Sequence, residues 1–293
     1  MTAGPVNHST PTDPGGVVSH AVTAADGREL AARTFPGESS DIVVIAGGAG
    51  IPQRFYAGIA EWIRARGPSV VTFDYRGMAD SRHHHPRRDD ARMRDWGRLD
   101  VEAVLRHARD RATGRLLWLG HSAGGWLLPL AASRHLPERI VTIGTLSPYW
   151  RLLTPMERWR FGVALHLVFP SLLGVVGHVP GRVWGGDDLP RGVARDWMRW
   201  SRHPEYFFGD PTLDTSGFAE LTAPVLAVRA TDDPWATSAS HGAAHAWFSG
   251  SRVDVLDVTP TEVGAPRIGH FDLLRERVGG PVWPRLIDWL LAA

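Results

Sequence analysis

Four kinds of residue stand at spacings that suit covalent catalysis by a hydroxyl group. Ser122 lies in Gly120-His121-Ser122-Ala123-Gly124-Gly125. Its neighbours are Arg115 to Leu119, which reads as a buried strand, and Trp126 to Ser133, which reads as a helix. A serine between two glycines at a strand-to-helix turn presents its hydroxyl in the open. Gly120 and Gly124 remove side chains that would collide where strand and helix approach closely. The amide of Ala123, at the helix start, then faces the place where negative charge develops on a substrate.

A serine hydroxyl attacks only once a base takes its proton. His270 supplies that base, and later the acid for the leaving group. The base needs a carboxylate to hold its tautomer. Asp232 and Asp233, just past the strand Ala223 to Ala230, are both candidates. Asp233 is favoured because such an acid commonly precedes an apolar residue that turns the chain into the next helix. The order Ser, Asp, His along the chain matches this arrangement. A second oxyanion amide must come from a loop after an earlier strand. Gly47-Gly48-Ala49-Gly50 stands there, and Ala49 is the first choice of donor with Gly48 next. The spacing of a dinucleotide-binding glycine loop is absent from it.

The elements that must position these groups follow a strand–helix rhythm. Val17 to Val22 and Glu29 to Phe35 form a hairpin about Ala25-Asp26-Gly27. Asp41 to Ala46, Ser69 to Asp74, Arg115 to Leu119 and Ile140 to Leu146 are continuous apolar runs of buried parallel-strand length. Phe55 to Arg66 and Asp100 to Arg111 have helical periodicity between them. Arg76 to Arg94 reads as a solvated loop, its adjacent His83, His84 and His85 included, and no metal site is expected. From 147 to 218 no strand recurs. Helices are expected over Arg158 to Val168 and Arg191 to Trp200, forming a lid. Ala223 to Ala230 and Arg252 to Val258 resume the strands. A short helix is expected near Ser238 to Ser249, another opening at Gly269-His270, and a last one over Trp283 to Leu291. The expected division is a disordered tail at 1–16, a core of 17–146 and 219–293, and a lid of 147–218. Trp126, Trp159, Trp184, Trp197, Trp200 and Trp235 are candidates for an apolar substrate pocket.

Composition narrows the chemistry. The 293 residues are 43% hydrophobic and 22% charged, as in an ordinary globular protein. Cysteine is absent, which excludes disulfides, Cys-ligated zinc and a Cys nucleophile. All 32 basic residues are arginine, so Schiff-base and Walker A lysines are excluded too. A formal charge of +1 gives no strong field for nucleic acid. No run is apolar and long enough to span a membrane, and a cytoplasmic protein is expected.

From the hairpin to the last helix, the chain resembles the α/β-hydrolase superfamily. Besides the Ser122 motif, Asp74-Tyr75-Arg76-Gly77-Met78-Ala79-Asp80-Ser81 is similar to its D-x-R-G-x-G-x-S stretch, with Ala79 where glycine is usual. Gly50 to Tyr56, Leu189 to Ala194 and Gly269-His270-Phe271 resemble a bacterial branch related to serine aminopeptidases and monoacylglycerol lipases. The resemblance implies a mostly parallel eight-stranded sheet flanked by helices, with a helical lid after the sixth strand. It implies a Ser122-Asp233-His270 triad that needs no cofactor and acts on a small-molecule acyl substrate. Ester hydrolysis is the first expectation. An acyltransferase or a C–C bond hydrolase would use the same triad, and a binding protein could keep the fold without catalysis. Haloalkane dehalogenases and epoxide hydrolases need a carboxylate where Ser122 stands.

Overall fold

The computed structural model describes residues 16–292. The tail expected at 1–16 therefore lies outside the described residues, Gly16 excepted. Eight strands form one sheet in the order β1-β2-β4-β3-β5-β6-β7-β8. They are β1 (Val18–Thr23), β2 (Glu29–Phe35), β3 (Ile42–Ala46), β4 (Ser69–Phe73), β5 (Leu116–His121), β6 (Pro137–Ile143), β7 (Val225–Ala230) and β8 (Val253–Val258). β1 pairs antiparallel with β2, and β2 antiparallel with β4. From β4 to β8 every pairing is parallel. The inner parallel strands β3 to β7 are largely hydrophobic on both faces because both are covered, whereas the edge strand β8 alternates buried and open positions. Thus Val44, Leu116 and Trp118 join one core, while Val43, Leu117 and Leu119 join the other. β5 sits between β3 and β6, so its C-terminal end opens at the middle of the sheet.

The departures from the expected elements have local causes. β5 runs to His121, and the helix after Ser122 is short, Ala123–Leu127 with a 3₁₀ turn to Leu130. Pro129 stands in that turn without an N–H, and Ala131 is already extended. β6 begins at Pro137 and ends at Ile143, where Gly144 takes φ +61°. His270 opens no long helix. A 3₁₀ turn, Asp272–Leu274, and a single-turn helix, Glu276–Gly279, follow it.

Between β6 and β7 the chain is helical. Its first helical stretch is longer than expected: Pro155–Val163, a π-helical segment Ala164–Val168, and Phe169–Val175. The wide turn precedes Pro170, whose ring would clash with a carbonyl in regular α-helix. A single-turn helix, Gly181–Trp184, follows, and then the helix Arg191–Ser201, which buries Val193, Ala194, Trp197 and Trp200. Among the described residues, no helix is long and apolar enough to cross a membrane.

Candidate active site

Ser122 has φ +50° and ψ −114°, a conformation rare outside glycine. Its surroundings hold it there. Its amide donates to Ile143 O at 2.9 Å, and its carbonyl accepts from Thr145 Oγ1 at 3.0 Å. A Cβ on Gly120 would strike the Gly124 carbonyl and the Gly125 backbone. One on Gly124 would strike the Ala46 carbonyl, and one on Gly125 the Thr145 side chain. The strand end, turn and helix start therefore pack backbone against backbone, which is the tight approach the glycines were expected to permit.

His270 lies on the loop after β8 and is buried. Its Nδ1 meets Asp233 Oδ2 at 2.7 Å. The other carboxylate oxygen of Asp233 accepts the amides of Trp235 and Ala236, at 2.8 and 2.9 Å. Burial pushes this carboxyl up. The His270 charge, their hydrogen bond and the two amides outweigh it, and the group is held below the usual carboxylate range. Asp232 points elsewhere and accepts the amides of Ile268 and Gly269, at 2.9 and 3.0 Å.

Ser122 and His270 face one cavity of about 440 Å³. No hydrogen bond joins the two side chains here, and such catalytic bonds often tighten only around substrate. Gly48, Ala49 and Ala123 also line the cavity. The amides of Ala49 and Ala123 donate to no protein acceptor among the described residues. Gly48 is a correction. Its amide is engaged by Tyr56 Oη at 2.8 Å, so it is no free donor. Its part is steric, because a Cβ there would come within 3.2 Å of the Ser122 Cβ.

Of the six candidate tryptophans, Trp126, Trp159, Trp184, Trp197 and Trp235 line the cavity. Trp200 does not. It is buried against Tyr206 and Phe207, and its indole N–H donates to Asp210 Oδ2 at 2.9 Å. Trp235 stacks tilted over His270, ring centres 4.8 Å apart. Its N–H donates to Glu157 Oε2 at 3.0 Å, which ties the helical segment to the loop that carries Asp233. Phe161, Phe169 and Phe271 complete much of the apolar wall. Among the described residues that line it, the carboxylate and the guanidinium are those of Glu157 and Arg160, which pair with each other at 3.0 Å.

Two further residues at the site were not anticipated. His121 is buried beside Ser122, with Nδ1 2.8 Å from Tyr56 Oη and Nε2 3.2 Å from the His270 carbonyl. Burial, then the nearby His270 charge, push its pKa down to about 3. Ala79, where the resemblance has glycine, takes φ +39°, in the region that favours glycine. Of the three adjacent histidines, His83 Nε2 donates to Glu29 O at 2.8 Å and His85 packs edge-on to His178.

Comparison with known proteins agrees with this architecture. Est1E from Butyrivibrio proteoclasticus, solved with ferulic acid bound, superposes with a TM-score of 0.58 at 16% identity, covering 93% of this chain and 98% of that one. EstE1, a thermostable carboxylesterase from a metagenomic library, gives 0.57 at 18% identity over 96% and 90%. Alpha/beta hydrolase domain-containing protein 10 from mouse gives 0.57 at 17% identity over 92% and 96%. No curated protein sequence matches the chain. The model of the alpha/beta hydrolase family matches residues 42–278, well over half the chain, and the protein belongs to that family.

Proposed function

We propose that the protein is a serine hydrolase that cleaves a carboxylic ester with an apolar acyl group. The observation that carries this reading is the Asp233–His270 hydrogen bond, 2.7 Å long, beside a cavity shared by His270, Ser122 and two unengaged amides. In this reading Ser122 Oγ attacks the ester carbonyl while His270 Nε2 takes its proton. The carbonyl oxygen becomes an oxyanion held by the Ala49 and Ala123 amides. As the tetrahedral intermediate collapses, His270 returns the proton to the departing alkoxide. Water then attacks the acyl-enzyme by the same steps, and Asp233 steadies the imidazolium each time. Residues 147–218 act as a lid whose aromatic wall selects the acyl group.

Mass spectrometry after treatment with a fluorophosphonate tests the nucleophile. The expected result is one adduct, on Ser122, with loss of p-nitrophenyl ester hydrolysis. An unlabelled Ser122 under conditions where esters are cleaved overturns the reading.

A further inference from the structure

The loop that carries Ala49 is clamped at both ends of one peptide. Tyr75 Oη donates to Gly47 O at 3.0 Å, and Tyr56 Oη accepts the Gly48 N–H at 2.8 Å. The next peptide is also fixed, since Gly48 O accepts the Ile51 amide at 3.2 Å. Ala49 N–H, trans to that carbonyl, must point away from the turn. Tyr56 is fully buried, as is His121.

The direction of each hydrogen bond follows from its neighbours. Gly48 N–H can only donate, so Tyr56 Oη accepts there and gives its own proton to His121 Nδ1. His121 is neutral and must carry its proton on Nε2, which faces the His270 carbonyl at 3.2 Å. Burial keeps the Tyr56 hydroxyl protonated by pushing its pKa up. A second proton on His121 would put two donors on Tyr56 Oη and leave its hydroxyl hydrogen without an acceptor. Phe55 and Phe271 pack around the imidazole, while His270 and Asp233 are the ionisable groups beyond it.

We propose that Tyr56 and His121 are positioning residues, a directed relay that holds the Ala49 amide and the His270 backbone in one register about Ser122. The relay runs Gly48 N–H to Tyr56 O–H to His121 Nδ1, then His121 Nε2–H to His270 O. It rests on the triad reading above, in which those two ends flank the transition state. Its effect is on the transition state rather than on substrate binding, because Tyr56 does not line the cavity and His121, which does, sits beside Ser122 with both ring nitrogens engaged.

The test is kcat per active site, counted by fluorophosphonate titration, for Tyr56→Phe, His121→Asn and His121→Leu. Tyr56→Phe keeps the ring and removes the link. Its kcat per site should fall about 10- to 100-fold, below the loss for deleting an oxyanion donor, with KM within about threefold. Asn at 121 keeps an acceptor for Tyr56 and should recover most of the activity that Leu loses. A merely structural role would lower the titrated fraction and the melting temperature, leaving kcat per site unchanged. Nitrogen NMR of the wild-type protein supplies a readout without turnover: His121 should stay in the Nε2–H form down to pH 5. Tyr56→Phe within threefold of wild type, Asn no better than Leu, or a His121 with its proton on Nδ1 each overturns the relay. A wild-type enzyme that is not labelled at Ser122 overturns the triad reading and the relay with it, whereas normal labelling with an unaffected Tyr56→Phe overturns the relay alone.

Discussion

Asp232 and Asp233 share a peptide bond, yet their carboxylates hold different parts of the same loop. Asp233 meets the His270 imidazole at 2.7 Å, and Asp232 holds the amides of Ile268 and Gly269 just before it. The pair therefore separates orientation of the ring from placement of its backbone. Asp233→Asn should lower kcat by about 10⁴ with the fold intact, because an amide there favours the wrong tautomer. Asp232→Asn should cost about 1–2 kcal/mol of stability and less activity, since two charge-assisted hydrogen bonds weaken. Steady-state kinetics and thermal melts on both variants check this. A larger kcat loss for Asp232→Asn would reassign the acid.

The backbone at Ser122 stores strain that the neighbouring contacts sustain. Ser122→Ala should abolish turnover, a loss on the order of 10⁶ in kcat, without relieving that strain. Ser122→Gly should be equally inactive but more stable than the Ala variant by about 1–3 kcal/mol. Denaturant titration of the two inactive variants makes the comparison. Equal stabilities would mean that the serine conformation costs nothing.

Two tryptophans three residues apart on one helix should behave differently. Trp197 lines the cavity, whereas Trp200 is packed against Tyr206 and bonded to Asp210. Trp197→Ala should change the ranking of kcat/KM across ester chain lengths, with about 1–3 kcal/mol at stake per methylene. Trp200→Ala should cost about 3–5 kcal/mol of stability and leave the ranking as it was. A p-nitrophenyl ester series, with melting curves, distinguishes them. An unchanged ranking for Trp197→Ala would make its wall position irrelevant to specificity.

Acid should destabilise the fold from about pH 6.5 downward. Burial pushes His121 and His241 to about 3 and His245 to about 4. In the unfolded chain each would titrate near 6.5. A depressed base contributes stability that is present above its unfolded pKa and lost as pH falls toward its folded one. Each such histidine removes about 1.4 kcal/mol per pH unit inside that window. Asp74 and Asp100 act the other way. Burial raises their carboxyls to about 6 and about 7, so their contributions are full in acid and lost as pH rises through those values. The three histidines, joined by His107, which burial pushes down to about 4, outweigh the two carboxyls, and the melting temperature should drop between pH 6.5 and 4.5. His245→Gln should remove about one proton from the slope. A melting temperature that is flat or rises toward acid would contradict these burials.

Much of this arrangement was legible because it repeats locally. Strand-length patterns, apolar runs in the middle of the sheet and a hairpin or alternation at its edges, marked all eight strands; Ser122 and Asp233 stand just beyond β5 and β7, and His270 lies on the loop after β8. Element ends were less legible where one residue decides them, as Gly144 does for β6 and Pro129 for the helix after Ser122. The Tyr56–His121 contact was hidden because its partners are 65 positions apart and neither residue type is distinctive there. Ala49 and Gly48 both stood as candidate donors, Ala49 first, and the Tyr56 hydroxyl that engages the Gly48 amide separates them. Trp197 and Trp200 lie on one helix with the same apolar periodicity, so spacing could not say which faces a void and which a neighbouring ring.

The tie between the helical segment and the Ala49 loop bears on how this protein would be re-engineered. Asp187 N–H holds Gly50 O at 2.8 Å, and the Trp184 ring abuts the Gly50 backbone. A combinatorial library spread evenly over the cavity wall would therefore scramble the Ala49 loop together with the shape of the void. Randomising Phe161 and Phe169 while leaving Trp184 and Asp187 fixed confines the diversity to the shape of the void. Gly120, Gly124 and Gly125 accept no side chain at all, so the turn at Ser122 must be carried through unchanged.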